Sequence, residues 1–310
     1  MHIRTNPKLN RIFKPVILFC EWLGIHHPIL LARIRYFVRF KKLLDLDNPK
    51  TLNEKILFLC LKTDTSLWTR CSDKYVVRGY VEEKGLGEIL IPLVGVWNKA
   101  TDIDFDKLPE MFVLKANHGS GDVLVVKDKK KVDWLETVRM FEKDLASRYG
   151  ALESGIHYMR IKPRMIAESF IQNNEETKKV SSSLIDYKMW CFNGQCYYIW
   201  ACANRNEHST EVMTYDREWN AHPEYSIFKD GYRRGELLPK PENFERMIEI
   251  AEKLSEDFPC VRVDLYNISG KIYFGELTFT SYGGLMDFYT EEFQLLAGSL
   301  VDLSEVKVIR

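Results

Sequence analysis

The stretch from Cys260 to Gly284, CVRVDLYNISGKIYFGELTFTSYGG, constrains the fold more than any other part of the chain. It reads as two strands joined by a short polar turn around Asn267, Ile268, Ser269 and Gly270. In the first strand Val261, Val263 and Leu265 alternate with Arg262 and Asp264, the period-two pattern of a half-buried strand. In the second, Glu276 and Thr278 are two apart and share a face. A connection of odd length, about three or five residues, puts Arg262, Asp264, Glu276 and Thr278 on one face by cross-strand pairing. Two carboxylates facing each other beside an arginine repel, and are costly to desolvate unless a cation lies between them. A hard divalent ion that keeps waters and gathers phosphate oxygens suits such a face. The alternative is a solvated hairpin face carrying an ordinary ion pair.

Composition narrows the remaining choices. The 310 residues are 45% hydrophobic, enough for two or three subdomains around a sizeable core. Lys+Arg and Asp+Glu both number 44, so no global charge argues for a nucleic-acid partner. Seven cysteines without a CxxC pair point to reduced thiols in a reducing compartment. Neither HExxH nor a Cys/His cluster of zinc spacing occurs, which leaves oxygen ligands for any metal.

The amino-terminal residues 1–42 carry nine basic side chains (Arg4, Lys8, Arg11, Lys14, Arg33, Arg35, Arg39, Lys41, Lys42) against the single acidic Glu21. Between them lie the apolar runs PVILFCEWLGI and PILLARIRYFV, both short of the roughly 18 residues of a membrane span. No small-residue cleavage site of a secretory signal is present. Tryptophan and leucine stripes generally pack inward, so the leading expectation is a helical cap on the body. The competing one is peripheral contact with anionic lipid. Residues 49–84 read as helical, with Ser72 as N-cap of DKYVVRGYVEEKG and Gly85 and Gly87 ending that helix. ILIPLVGVW is a short apolar strand, and the acidic linker TDIDFDKLPE follows.

In MFVLKANHGSGDVLVVK two β-rich runs flank Asn117, His118, Gly119, Ser120 and Gly121, where glycines let backbone N–H groups cradle a phosphate. Lys115 precedes this loop as a candidate phosphate contact, although an ordinary glycine hairpin explains the loop equally well. Residues 134–149 have helical periodicity, and the apolar strand RMIAESFIQ is interrupted by Glu168. Asn193-Gly194 marks a tight hairpin with Lys188 in its first strand, and residues 241–257 form a helix with Pro241 at its start.

In this order the pieces resemble the ATP-grasp superfamily, in particular the branch associated with teichuronopeptide and cell-surface polysaccharide synthesis in bacteria. The residues that carry the resemblance are LNEKI, SDKYVVRGYV, IPLVGVW, LPEMFVLKANHGSG, DYKMWCFNG and VRVDLYNISGKIYFGELTF, across roughly residues 50–290. The resemblance implies an α+β chain in which two α+β subdomains grip ATP. The expected division is a mainly helical region with a short strand at 1–103, a small subdomain with the glycine loop at 104–170, and a large subdomain with the metal site at 171–310. Lys115 and Lys188 would contact phosphates, Gly119, Ser120 and Gly121 would fold over them, and backbone groups at Glu168 and Ile171 would read the adenine edge. Asp264 and Glu276 would hold Mg2+, and Arg262 would meet the transferring phosphoryl group. Many family members carry Asn where this chain has Thr278, a shorter and weaker oxygen ligand, which bears on a second metal position.

The implied activity is carboxylate–amine ligation through an acyl-phosphate, with a uronic acid of a surface glycan and an amino acid or other amine as partners. A glycan phosphotransferase or glycan-transferring enzyme on the same fold, and a nucleotide-binding accessory protein without turnover, stay open. The expected location is cytoplasmic, with peripheral contact at the inner membrane face through residues 1–42 as the further expectation.

Overall fold

The computed structural model describes residues 7–121 and 123–309, with side chains from residue 14 onward. Arg4 thus lies outside the described residues, as does Asp122 in the strand run after the glycine loop, and Lys8 and Arg11 are described in backbone only. The α+β expectation holds. A four-stranded antiparallel sheet has the order β1 (Leu93–Trp97), β4 (Met165–Ser169), β2 (Phe112–Ala116), β3 (Val123–Val126). A six-stranded sheet runs β10 (Lys271–Thr278), β9 (Cys260–Ile268), β5 (Asp186–Phe192), β6 (Gln195–Ala203), β7 (Thr210–Asp216), β8 (Tyr232–Arg234), with only the β7–β8 pair parallel. The strand at 93–97, grouped by sequence with the amino-terminal region, is hydrogen-bonded to β4 and belongs to the small sheet.

Alternation in the small sheet decides where its polar residues go. Phe112, Leu114 and Ala116 of β2 and Met165 and Ala167 of β4 are buried in one core. The helix α6 (Trp134–Leu145) covers that core with Phe141, and Phe105 stacks on Trp134 at 4.1 Å. Full burial of one such aromatic contributes about 1.5–3 kcal/mol. Lys115 and Glu168 are therefore left on the opposite face of the sheet.

Two turns organise the large sheet. Asn193 (φ 50°) and Gly194 (φ 77°) join β5 to β6 as the Asn-Gly pair predicts. The β9–β10 turn is also two residues, Ser269 and Gly270, with φ 45° and 81°, so the odd-length connection is corrected. With that turn Phe274 lies opposite Leu265, and an unbroken register would have put Glu276 opposite Val263, out of step with Asp264. A bulge at Gly275 shifts the register by one, and Glu276 comes opposite Asp264 and Thr278 opposite Arg262. Only glycine fits there, since a Cβ would come within 2.9 Å of the Asp264 carbonyl oxygen. The polar face expected from the sequence is real, but a bulge rather than loop length makes it.

The helices are α1 (Pro7–His26), α2 (Pro28–Phe40), α3 (Leu52–Lys62), α4 (Ser66–Ser72), α5 (Val77–Glu83), then α6, α7 (Glu175–Val180), α8 (Phe244–Ser255) and α9 (Glu291–Ser299). α3 opens on a capping box between Thr51 and Glu54. Ser72, expected to cap the next helix, ends α4 instead. Asp73 closes the turn before α5, its carboxylate accepting from Tyr75 N at 2.8 Å and Val76 N at 3.1 Å, and α5 itself starts without a side-chain cap. Gly85, at φ 69°, stops α5 while Leu86 N donates back to Val81 O. The expected inward packing of the amino-terminal stripe is met by Leu31, Ala32 and Tyr36 of α2, but Val16, Phe19 and Trp22 of α1 stand exposed.

His157 is fully buried against Trp68, Tyr158 and Phe279, and burial pushes its pKa down to about 3. The unfolded chain binds this proton near pH 6.5 and the folded one does not, so stability falls as pH drops from 6.5 towards 3. Between pH 7 and 5 the wild type is expected to lose about 2 kcal/mol more than His157→Phe in urea unfolding. Equal losses in the two proteins would refute that origin. Gly275→Val is expected to cost about 1–3 kcal/mol in the same measurement, because the Asp264 carbonyl cannot retreat without opening the β9–β10 pair.

Candidate active site

Three neighbouring strands bring the charged residues together. Register places Lys188 of β5 opposite Asp264 of β9, which faces Glu276 of β10. Trp190, Arg262 and Thr278 form the next row. Arg262 grips Asp264 with two parallel bonds, Nε to Oδ1 and Nη2 to Oδ2, both 2.7 Å. It also donates to Thr278 Oγ1 at 3.1 Å and Ser281 Oγ at 2.6 Å, and its guanidinium lies 5.9 Å from the Trp190 ring centre. Lys188 Nζ donates to Asp264 Oδ2 at 2.6 Å and pairs with Asp186 Oδ2 at 2.5 Å. Arg205 approaches the same Asp186 oxygen at 3.3 Å from a half-exposed position.

The donor count shows what the cluster has left over. A guanidinium has five N–H donors and an ammonium three. Arg262 commits four and Lys188 two, which leaves one on each for an incoming anion. Burial on its own would raise the Asp264 pKa, but Arg262 and Lys188 hold it below the usual carboxylate range. Burial would likewise drive the proton off Lys188, and Asp186 and Asp264 more than reverse this. Arg262 is raised in the same way by Asp264, against the cost of its burial. All three stay ionised in a dry site, where charge–charge interactions are strong.

The residues fit a magnesium nucleotide. Glu276 is 43% exposed, accepts the Thr278 hydroxyl at 3.0 Å through one oxygen, and lies in register with Asp264. Asp186 Oδ1 is buried without a hydrogen-bond partner. Among the described residues no group of three or more His, Cys, Asp or Glu gathers as a metal cage. Two carboxylates completed by waters and phosphate oxygens is the usual arrangement for Mg2+. Thr278 uses its proton on Glu276 and one lone pair on Arg262, so in this structure it orients both neighbours.

On the small sheet Lys115 Nζ lies 2.5 Å from Glu168, which Arg78 approaches at 3.5 Å. Two residues given separate tasks by the sequence are thus each other's partners. Glu168 sits inside the sheet, in register with Leu93 and Val113, and Ile171 follows just past the strand end. The stem of the glycine loop is clipped by buried Asn117, whose side chain accepts from Arg164 N at 2.7 Å and donates to Lys162 O at 3.0 Å. Beyond it Ser120 and Gly121 are exposed, with Gly121 at φ 87°. Lys74 donates to Gly119 O in the same loop.

Sequence reasoning missed Lys74, Asp186 and Ser281. Asp186 had a signal: it precedes Lys188 by two in a strand and must share its face. Lys74 lay within the quoted SDKYVVRGYV, but nothing local tied it to a loop 45 residues on. Ser281 lies after a strand end and had no signal.

A family model described as TupA-like ATPgrasp matches residues 54–302, well over half of the chain. Among curated proteins no relative matches. Similar solved structures include a D-alanine–D-alanine ligase from Helicobacter pylori (16% identity, TM-score 0.43, 82% of this chain and 68% of that one). A D-alanine–D-alanine ligase from Bacillus anthracis is also similar (17%, 0.45, 77% and 65%), as is an L-amino acid ligase from Bacillus licheniformis (13%, 0.44, 89% and 59%). The chain spans about two thirds of the length of these structures, and at such scores the assignment rests on the family model. The chain belongs to the TupA-like ATP-grasp family.

Proposed function

We propose that this protein is an ATP- and Mg2+-dependent ligase that joins an amine, such as an amino acid, to a carboxylate on a bacterial surface polysaccharide, with a uronic acid as the carboxylate donor. The observation that carries the catalytic part is the cluster of Arg262, Lys188, Asp264 and Glu276, which holds unspent donors beside hard oxygen ligands on one sheet face. The glycan rests on the teichuronopeptide-type branch that the motif order resembles.

In this reading a carboxylate oxygen of the substrate attacks the γ-phosphorus, the bond from phosphorus to the β-bridging oxygen breaks, and ADP leaves. The amine nitrogen then attacks the acyl-phosphate carbon, the C–O bond to phosphate breaks, and the nitrogen gives up its proton. Arg262 and Lys188 each offer a remaining N–H to the phosphoryl oxygens, where positioning and charge stabilisation do most of the catalysis. Lys115, released from Glu168, takes a phosphate oxygen, and Gly119, Ser120 and Gly121 cover the site against water. Main-chain groups at Glu168 and Ile171 meet the adenine edge. Mg2+, held by Asp264 and Glu276, neutralises phosphate charge when bound.

ADP release is expected to require both a carboxylate and an amine, with hydroxylamine trapping the activated carboxylate as a hydroxamate in a screen of uronic acids. ADP formed without hydroxamate, with phosphate transferred to a sugar hydroxyl, would show a phosphotransferase. No ADP with any pair would show a nucleotide-binding accessory. Glu276→Gln is expected to melt close to the wild type and lose turnover at least about a hundredfold. Asp264→Asn should also cost stability, about 3–5 kcal/mol, because it strands Arg262 and Lys188 in a buried site. Full activity of either variant at saturating Mg2+ would remove the proposed metal ligands.

A further inference from the structure

The hairpin of α1 and α2 precedes the family-matched region and is built unlike the rest of the chain. One side of α2 sends Leu31, Ala32 and Tyr36 inward. The hairpin is fastened by Arg39 to Asp287 at 2.5 Å and by Lys42 to Glu291 at 2.5 Å. The outward surface is apolar. Val16, Phe19 and Trp22 recur every three residues along α1, and Ile34, Phe37 and Val38 stand out from α2, with Phe19 59% and Val38 61% exposed.

Charge is segregated in the same way. Residues 1–42 hold nine of the 44 basic and one of the 44 acidic residues, so the segment carries +8 and the remainder −8. Lys14, Arg33 and Lys41 make no ion pair among the described residues. At the hairpin corner a cavity of about 760 Å³ is lined by Ile25, Leu30, Leu61 and Met159 together with Arg33 and Arg160. No helix among the described residues is long and apolar enough to cross a membrane. Exposed aromatic and aliphatic side chains amid uncompensated cations match a surface made of acyl chains beneath anionic headgroups. A second copy of the chain matches it poorly, because an isologous contact would bring two +8 segments together.

We propose that the α1–α2 hairpin docks this protein on an anionic phospholipid bilayer. Phe19, Trp22 and Phe37 enter the boundary between headgroups and acyl chains, and Lys14, Arg33 and Lys41 lie against phosphates. The hairpin stands on the part of the molecule that follows the candidate site. Arg39 pairs with Asp287 and its guanidinium lies 5.9 Å from the ring centre of Tyr282, both shortly after Thr278. Docking therefore holds that segment next to the membrane surface. The inference stands on the hairpin itself and does not depend on the ligase reading.

The test is co-sedimentation of the full-length protein with vesicles of phosphatidylcholine alone or with phosphatidylglycerol added. Binding to the anionic vesicles is expected to exceed that to neutral ones by at least about tenfold, because several basic groups lie near the surface. It should fall by a similar factor between about 50 mM and about 500 mM salt. Phe19→Asp with Phe37→Asp, both at exposed positions, should abolish it while the melting temperature holds. Three results would overturn the proposal. One is full-length protein left in the supernatant with anionic vesicles in low salt. Another is undiminished binding by the doubly substituted protein. The third is a stable dimer in solution that the same substitutions dissolve.

Discussion

The arrangement depends on one buried ionic network, Arg262 on Asp264 on Lys188 on Asp186. Each member would be expensive to bury alone, several kcal/mol per ion after relaxation, and each is made tolerable by the next. The two-pronged grip of Arg262 on Asp264 uses the planar fork that only arginine offers. Lys188 bridges two carboxylates that would otherwise repel across neighbouring strands. Apart from Asp186 Oδ1 the network is satisfied inwardly, with donors to spare and the half-exposed Glu276 at its edge. Such a site is preorganised: the charges that would meet a phosphoryl group are already desolvated and aimed.

α5 ties the two sheets together. Ahead of it Asp73 and Lys74 reach the loop stem and the segment before β4, and Arg78 near its start reaches Glu168 and Ile91 O on the small-sheet side. At its middle Tyr80 donates to Asp257 at 3.0 Å, and just after its end Lys84 pairs with Asp257 at 2.6 Å and Glu256 at 2.5 Å, just beyond α8. The helix is short, so these polar contacts at both ends, rather than a long packed face, set how the glycine loop stands relative to the six-stranded sheet. The Lys115–Glu168 pair lies on the small-sheet face left uncovered by α6, where a lysine has one strong partner and can exchange it for another anion.

The amino-terminal hairpin follows a different logic from the core. In the core large aromatic side chains cover one another, as where Trp68 stacks on Phe279 at 4.8 Å or Trp200 on Phe288 at 4.7 Å. On α1, Phe19 and Trp22 stack on each other at 6.2 Å and meet no such cover. An apolar stripe predicts burial only when a body lies on that side, and here the body takes one face of α2 and the end of α1 at Leu23 and Gly24.

By itself the sequence determined what depends on near neighbours. Alternation marked Arg262, Asp264, Glu276 and Thr278 as residues of two strands, Asn-Gly made the β5–β6 turn, Gly85 stopped α5, and the order of motifs carried the family. Apart from the motif order, each of these is a matter of backbone preference or of side chains two to four positions apart. Tertiary structure alone decided the rest. The Gly275 bulge brings Glu276 into register with Asp264 because the two-residue turn would otherwise leave them one step out of phase. Lys115 finds Glu168, Lys74 finds Gly119 and Arg262 finds Ser281 across 53, 45 and 19 residues of chain. No local pattern encodes such partners. They are chosen by which sheet faces meet and by the high cost of a buried charge left alone.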